Sequence, residues 1–378
     1  MKILFTGGGT GGHFYPIIAV AQEINEIARE RKLLTPELFY TGPKPYDERA
    51  LYENNITFKK SSAGKIRRYF SLLNFFDVFK TGWGIIKAIF QVFIIYPDVV
   101  FSKGGYASFP TVVATRLFRI PLVIHESDVV PGRVNKWSGK FAQKVAVAFP
   151  QTASMFPKVG NVAHTGNPVR KELYTTLPQG AHEYLKLDPD IPTVLILGGS
   201  QGADTINDIV LGALPRLVEH YQVIHQTGKK HIKQVSETAE VILEKSQHKD
   251  RYKPFDYLNT LAMRMAAGAA TLVISRAGAG SIFEIATWEL PSIIIPIPES
   301  ISHDQRKNAF AYARAGAAII LEEDNITPSL LMSEIDRLIS DPTLQEKMKK
   351  EAKKFASLGA ARTIAEALVD IAVAHEPR

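Results

Sequence analysis

Residues 271–286, TLVISRAGAGSIFEIA, combine a short apolar run, a tight turn of small residues and the start of a helix. Small residues in such a turn let a ligand approach the backbone closely. The helix that follows presents unpaired N–H groups and a positive dipole end to an anion. Glu284 lies one turn into this helix, where its carboxylate can accept hydrogen bonds from a ribose diol. The segment therefore predicts half of a nucleotide-diphosphate site, and the alternative is a strand-to-helix connection whose glycines serve only packing.

The beginning of the chain has the same succession of strand, small-residue turn and helix. Residues 2–6 form an apolar run that ends in GGGTGGH (7–13), and a helix is predicted over 14–30. This is typical of the opening of a doubly wound α/β domain. A dinucleotide-binding domain fits poorly, because the predicted second strand, 37–41, does not end in an acidic residue.

The succession restarts in the middle of the chain. Residues 193–197 form an apolar run that ends in GGSQGA (198–203), and a helix is predicted over 204–218. From residue 327 onward the pattern predicts three helices. The chain is therefore predicted to contain two α/β halves and a helical tail, with the default binding site in the cleft between the halves.

Composition restricts the class of protein. The 378 residues suit two domains, and 46% hydrophobic with 22% charged residues is typical of globular proteins. The absence of cysteine excludes disulfides, thiolate metal ligands and a cysteine nucleophile, and it fits a reducing compartment. The apolar run at 3–6 is too short for a signal peptide, and the run at 83–96 is too short to span a bilayer. We expect a cytoplasmic protein without a transmembrane helix.

Charge is distributed unevenly along the chain. Residues 1–165 contain 21 Lys and Arg against 11 Asp and Glu, whereas the remainder contains 24 against 27. This asymmetry indicates that the first half faces an anionic partner, either nucleic acid or a membrane.

A basic cluster followed by large apolar residues occupies residues 59–83. The pattern is typical of an interfacial membrane segment, in which each basic residue contributes about 1 kcal/mol near an anionic leaflet. The alternative is a core helix flanked by solvated lysines, and nucleic-acid binding is disfavoured because adjacent large apolar residues suit lipid better. The residues predicted to bind the membrane are Arg67, Arg68, Phe70, Leu72, Leu73, Phe75, Phe76, Phe79 and Trp83.

Seven segments, taken together and in this order, carry a family resemblance. They are GGGTGGHFYP (7–16), KGGY (103–106), HES (125–127), TGNPVR (165–170), GGSQGA (198–203), SRAGAGSIFE (275–284) and DQRKNA (304–309). The chain from residue 1 to about 362 resembles the MurG-type glycosyltransferases. These bacterial enzymes add N-acetylglucosamine (GlcNAc) to undecaprenyl-pyrophosphoryl-N-acetylmuramoyl-pentapeptide, lipid I, and so make lipid II.

The resemblance implies an α/β protein with the GT-B fold, in which two Rossmann-like domains enclose a cleft and a C-terminal helix returns to the first domain. The implied boundaries are an acceptor- and membrane-binding domain over 1–165, joined by the helix at about 358–378, and a UDP-GlcNAc-binding domain over 166–357. It further implies a hexosyltransferase (EC 2.4.1 class) that inverts the anomeric carbon and needs no cofactor.

The resemblance also implies the partners and the cellular setting. The partners are UDP-GlcNAc, lipid I, an anionic membrane surface and other cell-wall synthesis or division proteins, with no nucleic acid. The protein is expected to attach peripherally to the cytoplasmic face of the cell (inner) membrane and to serve peptidoglycan synthesis, cell shape and cell division.

Site residues carry over position by position from the family motifs. Thr10, Gly11 and His13 are expected to line the acceptor side, next to the lipid I diphosphate. The residues expected to contact the donor UDP-GlcNAc are Thr10, Gly11, Gly12, Asp128, Arg170, Ser200, Gln201, Gly202, Ala279, Glu284 and Gln305. Within this set, Glu284 is expected to bind the ribose diol and Gln305 the GlcNAc hydroxyls.

Asp128 departs from the family pattern, which usually has His-Glu-Gln-Asn where this chain has HESD (125–128). An acid in place of an amide adds a negative charge and removes two N–H donors. If the family's asparagine touches the donor sugar or the acceptor, Asp128 must act there as an acceptor only.

Inverting transfer needs one general base to deprotonate the acceptor hydroxyl. His13 is the first candidate, because an imidazole titrates near neutrality and this one ends a glycine turn. Its alternative role is to bind the acceptor or cap the helix. Glu126 is the second candidate, and its alternative is a structural partner for backbone or Lys103. No dedicated metal site is visible in the sequence, and we expect none.

Four other functions stay open at this level. The same fold with Asp128 could act on another membrane lipid, such as a diacylglycerol. A UDP-GlcNAc 2-epimerase-like isomerase would share the fold but would not need the basic, apolar segment. A non-catalytic membrane scaffold would keep its cellular role in a catalytically inert Glu284→Ala variant. A dinucleotide oxidoreductase ranks last, because no hydride chemistry is visible.

Overall fold

A computed structural model of the chain describes residues 1–8, 10–64, 73–156, 162–198, 204–298 and 303–375, and the side chains at 73–76, 78, 303 and 304 are not described. The chain folds into two units. The first unit contains Met1–Arg170 and Ser357–Arg378, and the second contains Lys171–Ala356.

The first unit alternates strands and helices. Its strands are β1 (Lys2–Thr6), β2 (Glu37–Gly42), β3 (Ile56–Lys60), β4 (Val99–Ser102), β5 (Leu122–Glu126), β6 (Lys144–Val147) and β7 (Val162–His164). Its helices up to that point are α1 (Gly11–Glu30), α2 (Glu48–Glu53), α3 (Leu73–Ile95), α4 (Phe109–Leu117) and α5 (Arg133–Ser138).

The first sheet has seven parallel strands in the order β3-β2-β1-β4-β5-β6-β7. Strands β4 and β5 are buried along their whole length, as expected for a parallel sheet covered on both faces. Strands β2 and β3 are added on one side of β1, and β4 to β7 are added on its other side, so the strand order reverses between β1 and β4. Ligands bind at such a switch point, outside the carboxyl ends of the strands.

The second unit repeats this plan. Its strands are β8 (Thr193–Leu197), β9 (Gln222–Gln226), β10 (Tyr252–Phe255), β11 (Leu272–Arg276), β12 (Ser292–Ile295) and β13 (Ala318–Ile320). Its helices are α6 (Ala181–Leu185), α7 (Asp204–His220), α8 (Ile232–Ile242), α9 (Thr260–Ala269), α10 (Ala279–Thr287), α11 (His303–Arg314), α12 (Pro328–Ile339) and α13 (Pro342–Phe355).

The second sheet has six parallel strands in the order β10-β9-β8-β11-β12-β13. Its switch point lies between β8 and β11. The small-residue turn that begins at Ala277 follows β11, so it lies at this switch point. Each unit therefore has a turn of small residues at the place where α/β sheets bind ligands.

The last helix, α14 (Ala360–His375), belongs to the first unit. Its apolar face, which includes Ile364 and Leu368, joins the core that α1 forms with the first sheet. The guanidinium of Arg362 also donates to Glu30 on α1, at 3.0 Å from Oε1. This confirms the expected return of a C-terminal helix to the first domain.

The strands that the sequence pattern did not predict are the edges of the two sheets, namely β3, β7, β10 and β13. They are short or polar, as edge strands commonly are. One consequence concerns the basic cluster of 59–83: Lys59 and Lys60 are exposed on the edge strand β3 and do not belong to an interfacial helix.

Candidate functional site

The turn between β1 and α1 places Thr10 and His13 at the switch point of the first sheet. Thr10 precedes the helix in an extended conformation, and its Oγ1 lies 3.0 Å from Nδ1 of His13. The hydroxyl of Tyr40 donates to the Gly7 carbonyl at 2.8 Å, which fixes the beginning of the turn. The ring of His13 is thus held at the carboxyl edge of the sheet by the first turn of α1.

The glycines after β4 allow this close arrangement. Gly105 adopts a φ of +78°, and a Cβ there would lie 3.4 Å from Nε2 of His13. A side chain at this position would therefore be strained by the left-handed backbone, and its Cβ would lie 3.3 Å from the Gly8 carbonyl oxygen while making only ordinary contact with the imidazole. The second glycine of KGGY is thus required by the turn, which brings residue 105 next to His13.

His13 is a neutral imidazole near physiological pH. Burial lowers the pKa of His13 to about 4, and the positive charge of Lys103 acts in the same direction. His13 is half-buried, so part of the residue stays accessible. A neutral imidazole can accept a proton, as a general base must.

Glu126, at the end of β5, is buried and holds the following loop. Its Oε1 accepts from the backbone of Asp128 at 3.0 Å, and its Oε2 accepts from the backbone of Gly132 and the amide of Asn135, each at 2.9 Å. Burial raises the pKa of Glu126 to about 7, and the charge of Asp128 adds to this shift. Both carboxylate oxygens therefore accept hydrogen bonds from the loop in this structure.

Two of the residues predicted to contact the donor UDP-GlcNAc, Asp128 and Arg170, also belong to the first unit. Asp128 is half-buried in the loop that Glu126 holds. Arg170, at the end of the unit's first segment, stacks on Tyr15 of α1, with its guanidinium carbon 4.1 Å from the ring centre. Because β1, β4 and β5 are neighbours, the structure brings the candidates at 10–13 and 126–128 to one edge of one sheet.

In the second unit, α10 begins at Ala279, directly after the turn that follows β11. Ala279 is buried, and Glu284 is half-buried in the next turn of the helix. Arg276 at the end of β11 forms an ion pair with Glu323, which also accepts from the hydroxyl of Thr205 at 2.8 Å. This pairing fixes the strand end from which the small-residue turn departs.

Helix α11 is tied to the same turn. The amide of Asn308 donates to the carbonyl of Ala277 at 3.3 Å. Gln305, one turn earlier on α11, has a buried Oε1 with no hydrogen-bond partner among the described residues. The predicted GlcNAc contact Gln305 and the predicted ribose contact Glu284 therefore lie on neighbouring helices around one turn.

Other predicted residues lie outside the described part of the chain. These are Ser200, Gln201 and Gly202 of the donor set, Arg67, Arg68, Phe70 and Leu72 of the membrane set, and the side chains of Leu73, Phe75 and Phe76. The remaining members of the membrane set, Phe79 and Trp83, are on α3 and are 64% and 66% exposed.

The apolar outer face of α3 extends beyond the predicted segment. Exposed residues follow one another at spacings of four and three along a single helical stripe, namely Phe79, Trp83, Ile86, Phe90 and Phe93. The opposite side of α3 is buried in the core of the first unit through Ala88, Val92 and Ile95. Among the helices that the structure describes, α3 included, we find none long and apolar enough to cross a bilayer.

Four residues at these edges were not among the predicted site residues, although Lys103 was considered as a structural partner of Glu126. Lys103, Asn135 and Asn167 surround the 125–128 turn, and Glu323 pairs with Arg276. A lysine directly between a buried strand and two glycines was an available signal for Lys103. No sequence signal pointed to Glu323, because it is 47 residues from its partner along the chain.

Comparisons with known proteins match both units. Residues 3–147 match the glycosyltransferase family 28 N-terminal domain, and residues 193–363 match the glycosyltransferase family 28 C-terminal domain. A relative from Clostridium kluyveri is 36% identical over 359 residues, which are 94% of this chain and 96% of the relative. It is named UDP-N-acetylglucosamine–N-acetylmuramyl-(pentapeptide) pyrophosphoryl-undecaprenol N-acetylglucosamine transferase.

Solved structures share the fold at lower identity. Acinetobacter baumannii MurG has a TM-score of 0.69 at 23% identity, covering 98% of this chain and 99% of that one. A putative UDP-N-acetylglucosamine 2-epimerase from Listeria monocytogenes has a TM-score of 0.70 at 15% identity, covering 100% and 98%. The likeness confirms the predicted GT-B fold, but fold alone does not separate transferases from isomerases. The two domain matches and the Clostridium relative decide the family: this chain belongs to glycosyltransferase family 28.

Proposed function

We propose that this protein transfers GlcNAc from UDP-GlcNAc to the C4 hydroxyl of N-acetylmuramic acid in lipid I, and so forms lipid II for peptidoglycan synthesis. The observation that carries this proposal is 36% identity, over nearly the whole of both chains, to a transferase named for that reaction. The small-residue turns at both switch points support it, because a diphosphate needs N–H donors and a close approach to the backbone.

The second unit would bind the donor. The turn after β11 and the first turn of α10, with Ala279, would accept the diphosphate of UDP. Glu284 would accept hydrogen bonds from the ribose diol, and the buried Oε1 of Gln305 would accept one from a GlcNAc hydroxyl. Ser200, Gln201 and Gly202 complete the proposed diphosphate and sugar contacts.

The first unit would bind the acceptor and contains further predicted contacts of the donor. Thr10, Gly11 and Gly12 begin α1, where helix N–H groups favour an anion. Arg170 would face the diphosphate of the donor, and Asp128 would accept a hydrogen bond from a sugar hydroxyl.

Transfer is a single displacement at the anomeric carbon. The C4 oxygen of the acceptor attacks C1 of GlcNAc, the bond from C1 to the UDP oxygen breaks, and its electron pair leaves with UDP. The hydroxyl proton passes to the general base. We assign this role to His13, because its imidazole is neutral, partly accessible and held by Thr10 at the sheet edge.

Glu126 is the second candidate for the base. In its favour, burial raises its pKa to about 7, which suits proton transfer near neutrality. Against it, both carboxylate oxygens already accept hydrogen bonds from the 128–135 loop. The two candidates predict different pH dependences of the rate, which can separate them by experiment.

Attachment to a membrane would follow from the outer face of α3. We propose that the stripe from Phe79 to Phe93 enters the interfacial layer of the cytoplasmic face of the cell membrane, because it is apolar and exposed over most of the helix. Lys80, also exposed, would face anionic headgroups. Such attachment would bring the acceptor edge close to a lipid-linked substrate.

The test is transfer of radiolabelled GlcNAc from UDP-GlcNAc to a short-chain lipid I analogue. Wild type should form the lipid II analogue, and Glu284→Ala should raise the KM for UDP-GlcNAc by 10-fold or more, because hydrogen bonds to a charged group contribute about 1.5–3 kcal/mol. Exposed Glu237→Ala is the matched control. Binding of UDP-GlcNAc without transfer would contradict the acceptor assignment and direct attention to Asp128. Conversion of UDP-GlcNAc to its 2-epimer would instead favour the isomerase.

A further inference from the structure

Lys103 is a buried lysine at the carboxyl end of β4, and 2% of it is exposed. Its Nζ lies 2.6 Å from Nδ1 of His125 and 3.3 Å from Oδ1 of Asn167, and it also donates to the hydroxyl of Ser127. The three N–H groups of an ammonium thus have three acceptors. Because an unpaired buried charge is costly, this full set of acceptors indicates a built environment for the ammonium.

The tautomer of His125 fits this arrangement. Its Nε2 lies 2.9 Å from the Gly166 carbonyl, which can only accept, so Nε2 carries the hydrogen and Nδ1 is left to accept from Lys103. Burial and the neighbouring Lys103 charge lower the pKa of His125 well below its usual value, so the ring is neutral. Lys103 therefore links the 125–127 turn to 166–167, which lead out of the first unit.

The hydrogen-bond partners of Lys103 are all neutral, but two carboxylates act on it from a greater distance. Burial lowers the pKa of Lys103 to about 7, and the negative charges of Glu126 and Asp128 oppose this shift. Glu126 accepts three hydrogen bonds from its own loop, which already stabilise its charge. Asp128 is the half-buried carboxylate of this pair, and it directly follows Ser127, whose hydroxyl accepts from Lys103.

We propose that Lys103 is a positioning residue of the acceptor edge, whose ammonium both clamps the 125–128 turn to Asn167 and compensates the negative charge of Asp128. The inference rests on the proposed transfer reaction. The acceptor carries a diphosphate, which a negative charge at 128 would repel, and the nearby ammonium of Lys103 offsets part of that repulsion. Lys103 and Asp128 thus act as a matched pair in this chain.

A double-mutant cycle on the short-chain lipid I analogue tests the pair. The variants are Lys103→Met, Asp128→Asn and their combination, with the exposed Lys245→Met as the control for loss of a lysine. We expect Lys103→Met to lower kcat/KM for the acceptor by 20-fold or more, chiefly through KM. The combined variant should recover at least 5-fold over Lys103→Met, because removing both charges restores the balance. The proposal would be overturned if the effects of the two single substitutions on kcat/KM simply multiplied in the combined variant. An unchanged KM for the acceptor in Lys103→Met would also overturn it.

A merely structural lysine would not give this recovery, since replacing Asp128 restores no packing lost at 103. The outcome is also separable from failure of the reaction itself. If wild type makes no lipid II analogue, the proposed function fails and this proposal with it. If wild type is active and the cycle shows no coupling, only the role of Lys103 fails.

Chemical rescue keeps the test decisive if Lys103→Met does not fold. The chain has no cysteine, so Lys103→Cys introduces a unique thiol. Alkylation with 2-bromoethylamine in denaturant, followed by refolding, restores an ammonium of nearly the same length, whereas iodoacetamide attaches a neutral amide. We expect the amine-modified protein to be at least 10-fold more active than the amide-modified one. Equal activities of the two would overturn the proposal.

Discussion

The guanidinium carbon of Arg170 lies 4.1 Å from the centre of the Tyr15 ring, so the end of the segment Met1–Arg170 is held on the first turns of α1. The hydroxyl of Tyr15 in turn donates to the carboxylate of Asp47 at 3.3 Å. A predicted donor contact and the glycine turn before α1 thus share one aromatic side chain.

Tyr15→Leu should therefore weaken binding of UDP-GlcNAc, although Tyr15 itself is not a predicted contact of this substrate. A cation–π contact contributes about 0.5–2 kcal/mol, so we expect the KM for UDP-GlcNAc to rise about 3- to 10-fold at nearly constant kcat. Steady-state kinetics with UDP-GlcNAc varied at saturating acceptor measures this. Tyr52→Leu, at an exposed position of α2, is the control. A change confined to the KM for the acceptor would contradict the assignment of Arg170 to the donor.

The pH dependence of kcat/KM for the acceptor should identify the base. A base must be deprotonated, so the rate falls as pH drops through its pKa in the free enzyme. With His13 as base, the acidic limb should lie near pH 4, because burial and Lys103 lower the pKa of this histidine to about 4. With Glu126 as base, the limb should lie near pH 7.

The profile is best measured from pH 4.5 to 8.5, with circular dichroism at each pH to verify that the protein stays folded. A rate that does not fall as the pH is lowered from 8 to 5.5 supports His13, and His13→Gln should then lower kcat by about 10²- to 10⁴-fold, the usual contribution of a general base. A fall with a midpoint near pH 7 that persists in His13→Gln would transfer the role to Glu126.

Sequence and structure agree where the signal is local. An apolar run, small residues and a helix start are contiguous at 2–13 and at 271–286, so one window contains the whole pattern. Within each unit, parallel pairing then places the carboxyl ends of neighbouring strands at one edge of that unit's sheet, and the residues predicted for that unit lie along it. The edge strands were missed for the opposite reason: β10, YKPF, contains a proline and β3, ITFKK, ends in two lysines, so neither shows a buried run.

The environment of Lys103 shows what a single sequence could not provide. Its acceptors come from β5, the loop after it and residue 167, which is 64 residues away. Burial of an ammonium is the opposite of what its residue type predicts, and only tertiary packing makes it possible. The outer stripe of α3 is a similar case, because hydrophobicity at 79–93 is equally consistent with a core helix until packing shows which side is covered.

The α3 stripe should bind anionic vesicles. Burying one phenylalanine side chain in an apolar layer contributes about 1.5–3 kcal/mol, so Phe90→Ser and Phe93→Ser should each weaken partitioning by about 10-fold or more. Flotation with vesicles containing phosphatidylglycerol measures partitioning, and the melting temperature verifies the fold. Leu34→Ser is the control, because Leu34 is 87% exposed in the loop between α1 and β2. Equal losses in Leu34→Ser would show that the stripe has no special role.

Gly166 links the acceptor edge to the returning C-terminal segment. It adopts a φ of +82°, and a Cβ there would lie 2.0 Å from Cβ of Ser357, a distance that no folded structure tolerates without a shift. Its carbonyl also accepts from Nε2 of His125. Gly166→Ala should therefore destabilise the first unit by about 2–5 kcal/mol, from overpacking together with the left-handed backbone.

Ser357→Gly separates these two costs. Removing the Ser357 side chain relieves the clash but leaves the backbone cost of about 1–2 kcal/mol, so the combination with Gly166→Ala should recover most of the lost stability. Two units need not unfold together, so the transition of the first unit must be followed on its own. Of the three tryptophans, Trp83 and Trp137 belong to the first unit, and a shared Trp288→Phe background leaves their fluorescence as the probe. If the urea midpoint for that probe is unchanged in Gly166→Ala, the proposed packing of Gly166 against Ser357 is wrong.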